Sequence, residues 1–390
     1  MSMTEGLIYL DYAATSPVDP AVAEAMAACL TRDGVFANPA SPHAAGAAAK
    51  AVVDAAREQI GALVGAAGER LIFTSGATEA NNLALKGVLS AGHGPSHLVT
   101  TAIEHRSVLD AAGALEGVGI AVTRVACDAN GIVATDRIAA ALTPSTRLVS
   151  VMLVNNEVGS IQDVEAVARV CHDAGVLLHV DAAQGAGKVR LDIEDWGIDL
   201  CSLTAHKLNG PKGIGALYVR EGLALAALIH GGEAALGARA GTLPTHQIAG
   251  FGKAFEIAAA RDETGGLARL RERLWQGLAR IEDVRRNGAP SRSAPHILSV
   301  SFPGVEGESL RFALADVAVS AGSACTSNHA EPSHVLRSLG LSDALAESTL
   351  RFGVGRFTTE AEIDRAVERV GAEVGRLRAI AAGAPDWCST

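Results

Sequence analysis

Short apolar runs alternate along this chain with longer stretches rich in alanine and glycine. Apolar runs bounded by Gly, Pro, Asn and Ser read as buried strands, and stretches with apolar positions at helical spacing read as helices. The pattern predicts strands at Leu7 to Asp11, Arg70 to Thr74, His97 to Ala102, Arg147 to Val154 and Val176 to Val180, with two more inside Asp199 to Val219. It predicts a helix opened by Asp19-Pro20, a long one over about Ala44 to Val64, and another beginning in Ala77-Thr78-Glu79. Such alternation implies an α/β fold: a mostly parallel sheet with helices on both faces. After Val219 the pattern changes. An Ala-rich helix, a Gly-rich loop from His230 to Thr242 and a helical stretch from Thr245 to about Val284 come first. Short strands (HILSVSFP, Val317 to Ser320) and terminal helices follow. This reads as a second, smaller α+β domain. The division is 15–250 and 251–390, with residues 1–14 free to pack on the smaller domain.

Polar residues stand at the ends of five of these predicted strands. Ser75-Gly76-Ala77-Thr78 follow Thr74, Glu104-His105 follow Ala102, and Asn155-Asn156 follow Val154. Asp181 and Gln184 follow Val180, and His206-Lys207 follow Thr204. In open parallel sheets, binding groups gather at strand carboxyl ends. The Gly turn into a helix start is a ready anion site, although Ser75 or Thr78 also suits an ordinary cap. Asp181 at the end of a buried strand is costly unless it meets a cation. Lys207 is costly to bury charged, so its amine is driven towards the neutral, nucleophilic form. That is the state that joins a carbonyl cofactor such as pyridoxal phosphate. A single lysine after a strand more often just reaches for water. Five polar groups at five strand ends favour one shared site.

Composition narrows the classes. With 390 residues, 48% hydrophobic and 19% charged, two well-packed domains are the natural arrangement. The net charge of −10 and the lack of a dense Lys/Arg run argue against direct nucleic-acid binding. MSMTEGLIYLDYAATSP has no basic segment followed by an apolar one, so no secretory signal is read there. The apolar stretch from Leu223 to Ile229 is too short to cross a membrane. Cys29, Cys127, Cys171, Cys201, Cys325 and Cys388 show no C-x-x-C spacing, which argues against a metal site and a disulfide framework. The expectation is a cytoplasmic protein with reduced thiols.

The segments SGATE, EH, NNE, VDAAQ and HK, with the Ser-Ala-Cys-Thr-Ser run around Cys325, fall in an order and spacing that resembles the cysteine desulfurases. Those are pyridoxal-phosphate enzymes of aminotransferase fold type I, class V. The likeness runs from YLDYAATSPVDP through GRFTTEAEID and is nearest to the housekeeping iron–sulfur-cluster type, whose long catalytic-cysteine loop corresponds here to Ala318 to Asn328. The resemblance implies conversion of L-cysteine to L-alanine, with sulfur passed to Cys325 as a persulfide for iron–sulfur clusters or thiolated products. It gives Lys207 the covalent hold on the cofactor and the substrate α-proton. Asp181 would pair with the ring nitrogen, His105 would stack on the ring and move a proton near the thiol, and Gln184 would reach the phenolic oxygen. Ala77, Thr78, Thr204 and His206 would hold the phosphate. Thr242 would reach the phosphate of a neighbouring subunit, which implies a homodimer. Arg351 would clamp the substrate carboxylate in a bidentate pair, assisted by Asn38 and Asn156. The segment from about Ser320 to Glu331 would move between cofactor and a sulfur-acceptor protein.

Three features depart from the family pattern: Thr204-Ala205 before His206-Lys207, the run His230 to Gly237, and a short tail carrying Cys388, which reads as incidental or as a relay thiol. A selenocysteine lyase, or another class V lyase or transaminase, is the alternative enzyme. The Gly-His-His-Cys-type segment of the short-loop branch is absent. An idle sulfur carrier or scaffold is the other class of reading, and the presence of Lys207, Asp181, Arg351 and Cys325 counts against it.

Overall fold

The chain starts with a two-residue strand, β1 (Ile8–Tyr9), followed by helices α1 (Pro20–Ala27) and α2 (Ala44–Val64). The computed structural model describes residues 6–90, 95–232, 235–321 and 332–383. Asp19 caps α1, accepting the Ala21 N–H at 3.0 Å, and Pro20 stands in the first turn, where its missing donor is not needed. Strand and helix then alternate. The order is β2 (Leu71–Thr74), α3 (Ala77–Leu89), β3 (His97–Thr101), α4 (Arg106–Glu116), β4 (Ala121–Val125), α5 (Thr135–Ala141) and β5 (Thr146–Met152). After them come α6 (Val164–Ala174), β6 (Leu177–Asp181), β7 (Leu200–Thr204) and β8 (Gly215–Val219).

Seven of these strands form one sheet in the order β2-β8-β7-β6-β5-β3-β4. Only β8 runs against its neighbours, so the sheet is mostly parallel. Successive side chains point to opposite faces. Ile72, Leu98, Leu148, Leu200 and Leu217 pack with Leu83 of α3 and Ala112 of α4. Their neighbours Phe73, Val99, Val149 and Cys201 pack on the other face with Ile60 of α2 and Val167 of α6. Burial on both faces is what makes these strands read as unbroken apolar runs. The edge strand β4 is mostly exposed or half-buried, carries Thr123 and Arg124, and so left no such run.

The chain continues through α7 (Thr245–Ala260), α8 (Thr264–Leu278), β9 (Arg285–Asn287), β10 (Ile297–Ser301), α9 (Gly307–Ala313), β11 (Val317–Ala318) and β12 (Ser320–Ala321). It closes with α10 (His334–Ser338), α11 (Asp343–Glu347), β13 (Thr349–Gly353) and α12 (Glu360–Gly383). A second, antiparallel sheet has the order β12-β13-β10-β9, and β1 pairs in parallel with β11. Ile8 and Leu10 lie in the same apolar cluster as Leu274, Leu298, Phe352 and Val370.

The structure differs from the apolar pattern in three places. The stretch predicted as one helix from Thr245 to about Val284 is two helices. Asp262 accepts the N–H of Thr264 at 3.0 Å, a local bond that competes with the helix ladder. The break lets one run serve two cores: Phe251 and Phe255 pack with Phe73 beside the large sheet, whereas Leu267, Leu274 and Leu278 pack under the small one. Gly250 therefore falls inside α7. The Ala-rich run after Val219 is not a helix. Gly222 turns the chain at φ 78°, and the run lies along α3, where the Ala226 N–H bonds Gly87 O at 2.9 Å. Packing overrides helix propensity there. Finally, the strand predicted from Val317 to Ser320 is two short ones in different sheets, with Tyr9 opposite Ala318 in the first and Ser320 opposite Arg351 in the second.

Among the described residues, no helix is long and apolar enough to cross a membrane, and no cluster of His, Cys, Asp and Glu is placed to hold a metal ion.

Candidate active site

The residues that follow β2, β3, β5, β6 and β7 converge on one cavity of about 560 Å³ at the carboxyl ends of the strands. Ala77 and Thr78 bring the first turn of α3 to its wall. No side chain caps α3; Glu79 reaches back instead to accept the Ser75 N–H at 2.6 Å. The cap role that Ser75 or Thr78 could have filled is left open, and an uncapped helix start facing a cavity is an anion site. Thr204, His206, Lys207 and Lys212 line the same end. His206 bonds Thr15 Oγ1 through Nδ1 at 3.1 Å. Burial, then the charges of Lys207, Lys212 and Lys188, push its pKa down to about 3, so the ring is neutral. Lys188, behind the wall, is pushed down to about 7 by burial and by Lys207. Lysines gathered at a helix N-terminus are a donor set that suits a phosphate.

Lys207 Nζ donates to the carbonyls of Ala13 at 2.6 Å and Ala14 at 2.5 Å. Gln184 donates to the same Ala13 carbonyl at 2.8 Å, while its oxygen accepts from His296 Nε2 at 3.1 Å. The turn that presents these carbonyls is tied to the lysine loop. Ser16 bonds the His206 carbonyl through its N–H and its hydroxyl, and Asn209, at φ 58°, donates to Pro17 O. No sequence signal marks such contacts, since backbone carbonyls carry no residue identity.

At the end of β6 the Asp181 carboxylate is buried. Its Oδ1 accepts the Ala183 N–H at 2.9 Å and its Oδ2 accepts from Asn81 Nδ2 at 2.7 Å. Two residues earlier, and so on the same face, His179 lies between Ser150 Oγ at 2.8 Å and Ser202 Oγ at 2.9 Å. Burial pushes its pKa down to about 4, so the floor beneath Asp181 is uncharged.

Arg351, on β13, is 2% exposed and enters the cavity from the small sheet. Its Nη2 bonds Asp11 Oδ1 at 3.0 Å, its Nη1 bonds Asn156 O at 2.9 Å, and its buried Nε has no hydrogen-bond partner. A buried guanidinium with an unmet N–H is suited to take a further carboxylate. Asp11, which the sequence marked only as the end of a strand, is the acid that makes the buried charge tolerable.

Of the residues expected at the site, Ala77, Thr78, His105, Asn156, Asp181, Gln184, Thr204, His206, Lys207 and Arg351 line this cavity. Asn38 does not. It is exposed, and its Oδ1 accepts the Ala40 N–H at 3.0 Å. Thr242 is exposed and outside the cavity lining. Cys325 and Cys388 lie outside the described residues. In the described chain on either side of Cys325, Ser320 lies opposite Arg351 in the small sheet, and Ser333 caps α10 and donates to the Glu157 carboxylate.

Glu104, named with His105 at the same strand end, does not line the cavity. It is fully buried, its Oε1 accepts from Thr101 Oγ1 at 2.7 Å and from the Met152 N–H at 2.9 Å, and its Oε2 has no partner. Burial pushes its pKa up from 4.5 to about 8, so the carboxyl is neutral at pH 7. Between those values the folded chain keeps a proton that the unfolded chain gives up, so this residue's contribution to stability falls as pH rises from about 4.5 to 8. Glu104→Gln, which mimics the protonated form, should melt about 2–4 °C above the parent at pH 8.5 and level with it at pH 5. Scanning calorimetry at the two pH values checks this, and equal shifts at both would refute the buried proton.

The description "Aminotransferase class-V" matches residues 8–366. A cysteine desulfurase IscS of Proteus mirabilis is 51% identical over 377 residues, spanning 95% of this chain and 93% of its own. One from Aeromonas hydrophila is 52% identical over 378 residues, with the same shares. Among solved structures, a NifS-like protein superposes with a TM-score of 0.88 at 33% identity, covering 95% of this chain and 100% of its own. A structure described as SspA in complex with cysteine gives 0.80 at 36% identity, covering 90% and 99%.

Proposed function

The chain belongs to the class-V aminotransferase family and, within it, to the cysteine desulfurases; from that premise we propose that it turns L-cysteine into L-alanine in the cavity around Lys207 and passes the sulfur to Cys325. The observation that carries this assignment of residues is the meeting of Lys207, Asp181 and Arg351, from three separate parts of the chain, around one cavity at an uncapped helix start. The solved relative described with bound cysteine supports a ligand of that size.

The family uses pyridoxal phosphate, which supplies a conjugated ring able to draw off the electron pair left when the substrate loses its α-proton. The residues present suit it. The α3 N-terminus, Thr78, Thr204 and His206 would hold the phosphate, and Asp181, steadied by Asn81, would keep a proton on the ring nitrogen. Lys207 would tether the group and take the α-proton. Arg351, held by Asp11 and by the Asn156 carbonyl, would orient the substrate carboxylate. The Cys325 thiolate would then attack the substrate sulfur, the carbon–sulfur bond would break, the β-carbon would take up a proton, and the α-carbon would regain the one that Lys207 holds. Atoms balance: cysteine plus the enzyme thiol gives alanine plus the enzyme persulfide. The exposed Thr242 suits a contact with the neighbouring subunit of a homodimer, and the persulfide leaves to an acceptor protein in the cytoplasm, for iron–sulfur clusters or thiolated products.

The test is a single-turnover mixture of the cofactor-loaded enzyme with L-cysteine, read for alanine and protein persulfide in equal amounts. Alanine without persulfide would sink the proposed transfer. In steady-state assays of alanine release Arg351→Gln should raise KM for cysteine about 100-fold, the cost of losing one partner of a buried charge pair. An unchanged KM would place the substrate carboxylate elsewhere.

A further inference from the structure

His105 enters α4 as its N-cap, and its Nδ1 accepts the backbone N–H of Ser107 at 3.1 Å. A backbone amide can only donate, so Nδ1 carries no proton while that bond stands. The Ser107 hydroxyl lies 2.8 Å from the same nitrogen. Its direction is set one residue further on. Asn81 is fully buried and gives one amide hydrogen to Asp181 Oδ2 at 2.7 Å and the other to Ser107 Oγ at 2.8 Å. The Asp181 oxygen accepts in that bond, so the amide nitrogen is the end that faces it. Ser107 Oγ therefore accepts from Asn81, and its own hydrogen turns to Nδ1. The bonds run in one direction, from Asn81 through Ser107 to His105, and two donors meet at Nδ1. In the neutral ring the one remaining proton is then on Nε2, and the ring lines the cavity.

We propose that Ser107, oriented by Asn81, is a positioning residue that locks His105 in the tautomer with its proton on Nε2. It rests on the cavity being the cysteine site. A ring so locked meets the substrate sulfur as a hydrogen-bond donor and does not take the thiol proton, because the nitrogen facing the substrate already holds one. This revises the role that the resemblance gave His105, which was to move that proton. The same Asn81 amide also holds Asp181, so the partner of the ring nitrogen and the ring-stacking histidine are set by one side chain.

The experiment uses the cofactor-loaded enzyme labelled with ¹⁵N at histidine, with His105 assigned by the signals lost in His105→Gln. Multiple-bond ¹H–¹⁵N spectra should show Nδ1 at the shift of an unprotonated ring nitrogen and Nε2 at that of a protonated one. In Ser107→Ala the two shifts should move towards each other as the tautomers exchange, and Ser107→Thr, which keeps the hydroxyl, should restore them. A proton on Nδ1 of the parent, or identical shifts in Ser107→Ala, would overturn the proposal. The visible absorption of the same samples separates the two readings. Without a near-visible band the cavity does not hold the cofactor, whatever the tautomer.

Discussion

Lys207→Ala abolishes turnover: alanine release from L-cysteine should fall by at least about 10⁴-fold, the combined loss of a covalent tether and a general base. The near-visible absorption of the loaded enzyme should fade on dialysis, because the covalent tether would be gone and only non-covalent contacts would remain. The fold should survive. Lys207 donates to the carbonyls of Ala13 and Ala14, but the turn that carries them is also held by Ser16 on the His206 carbonyl and by Asn209 on Pro17 O. Thermal melts of parent and variant therefore serve as the control. A folded variant that still released alanine near the parent rate would remove Lys207 from the chemistry.

The second large effect is expected at Cys325. Cys325→Ser should make no protein persulfide and should release alanine more than about 10³-fold more slowly, because a hydroxyl is a poor nucleophile towards sulfur. The cofactor should stay bound with its absorption intact, since Lys207, Asp181 and Arg351 are untouched. The spectral change on adding L-cysteine should persist, which separates a lost acceptor from a lost site. Persulfide is read by mass spectrometry after alkylation. Alanine release at the parent rate by the serine variant would mean that another thiol, or none, takes the sulfur.

The two substitutions differ in how the residues could be found. Lys207 and Asp181 stand at the ends of strands buried on both faces, where a charged side chain is conspicuous in the sequence itself. The candidate anion site after β2 is read instead from its Gly turn into a helix start, a pattern that an ordinary cap also fits. Asp11 gives no such signal, because its partner Arg351 is 340 residues away and neither position alone implies the other. Asn81 and Ser107 look like ordinary polar residues near helix starts, and only the packing of α3 against α4 joins them to Asp181 and His105. Glu104 sits next to His105 among the polar residues at strand ends, and nothing in the sequence shows that it is wholly enclosed. In the fold, apolar runs located the central strands, while the edge strand β4 and the break between α7 and α8 depended on tertiary contacts that no local pattern records.

The tie between Asp11 and Arg351 has a consequence for how the protein is made. The first strand pairs with Val317 and Ala318, and the carbonyls that receive Lys207 follow it directly in the chain. At ordinary translation rates the 340 residues between Asp11 and Arg351 take on the order of half a minute to be polymerised. Until Val317 and Ala318 are made β1 lacks its neighbour, and until Arg351 is made Asp11 lacks its cation, while the larger sheet already has all its strands on emergence of β8. The site is thus closed by joining segments of the nascent chain made 340 residues apart, and Asp11 and Arg351 cannot pair until both have been synthesised.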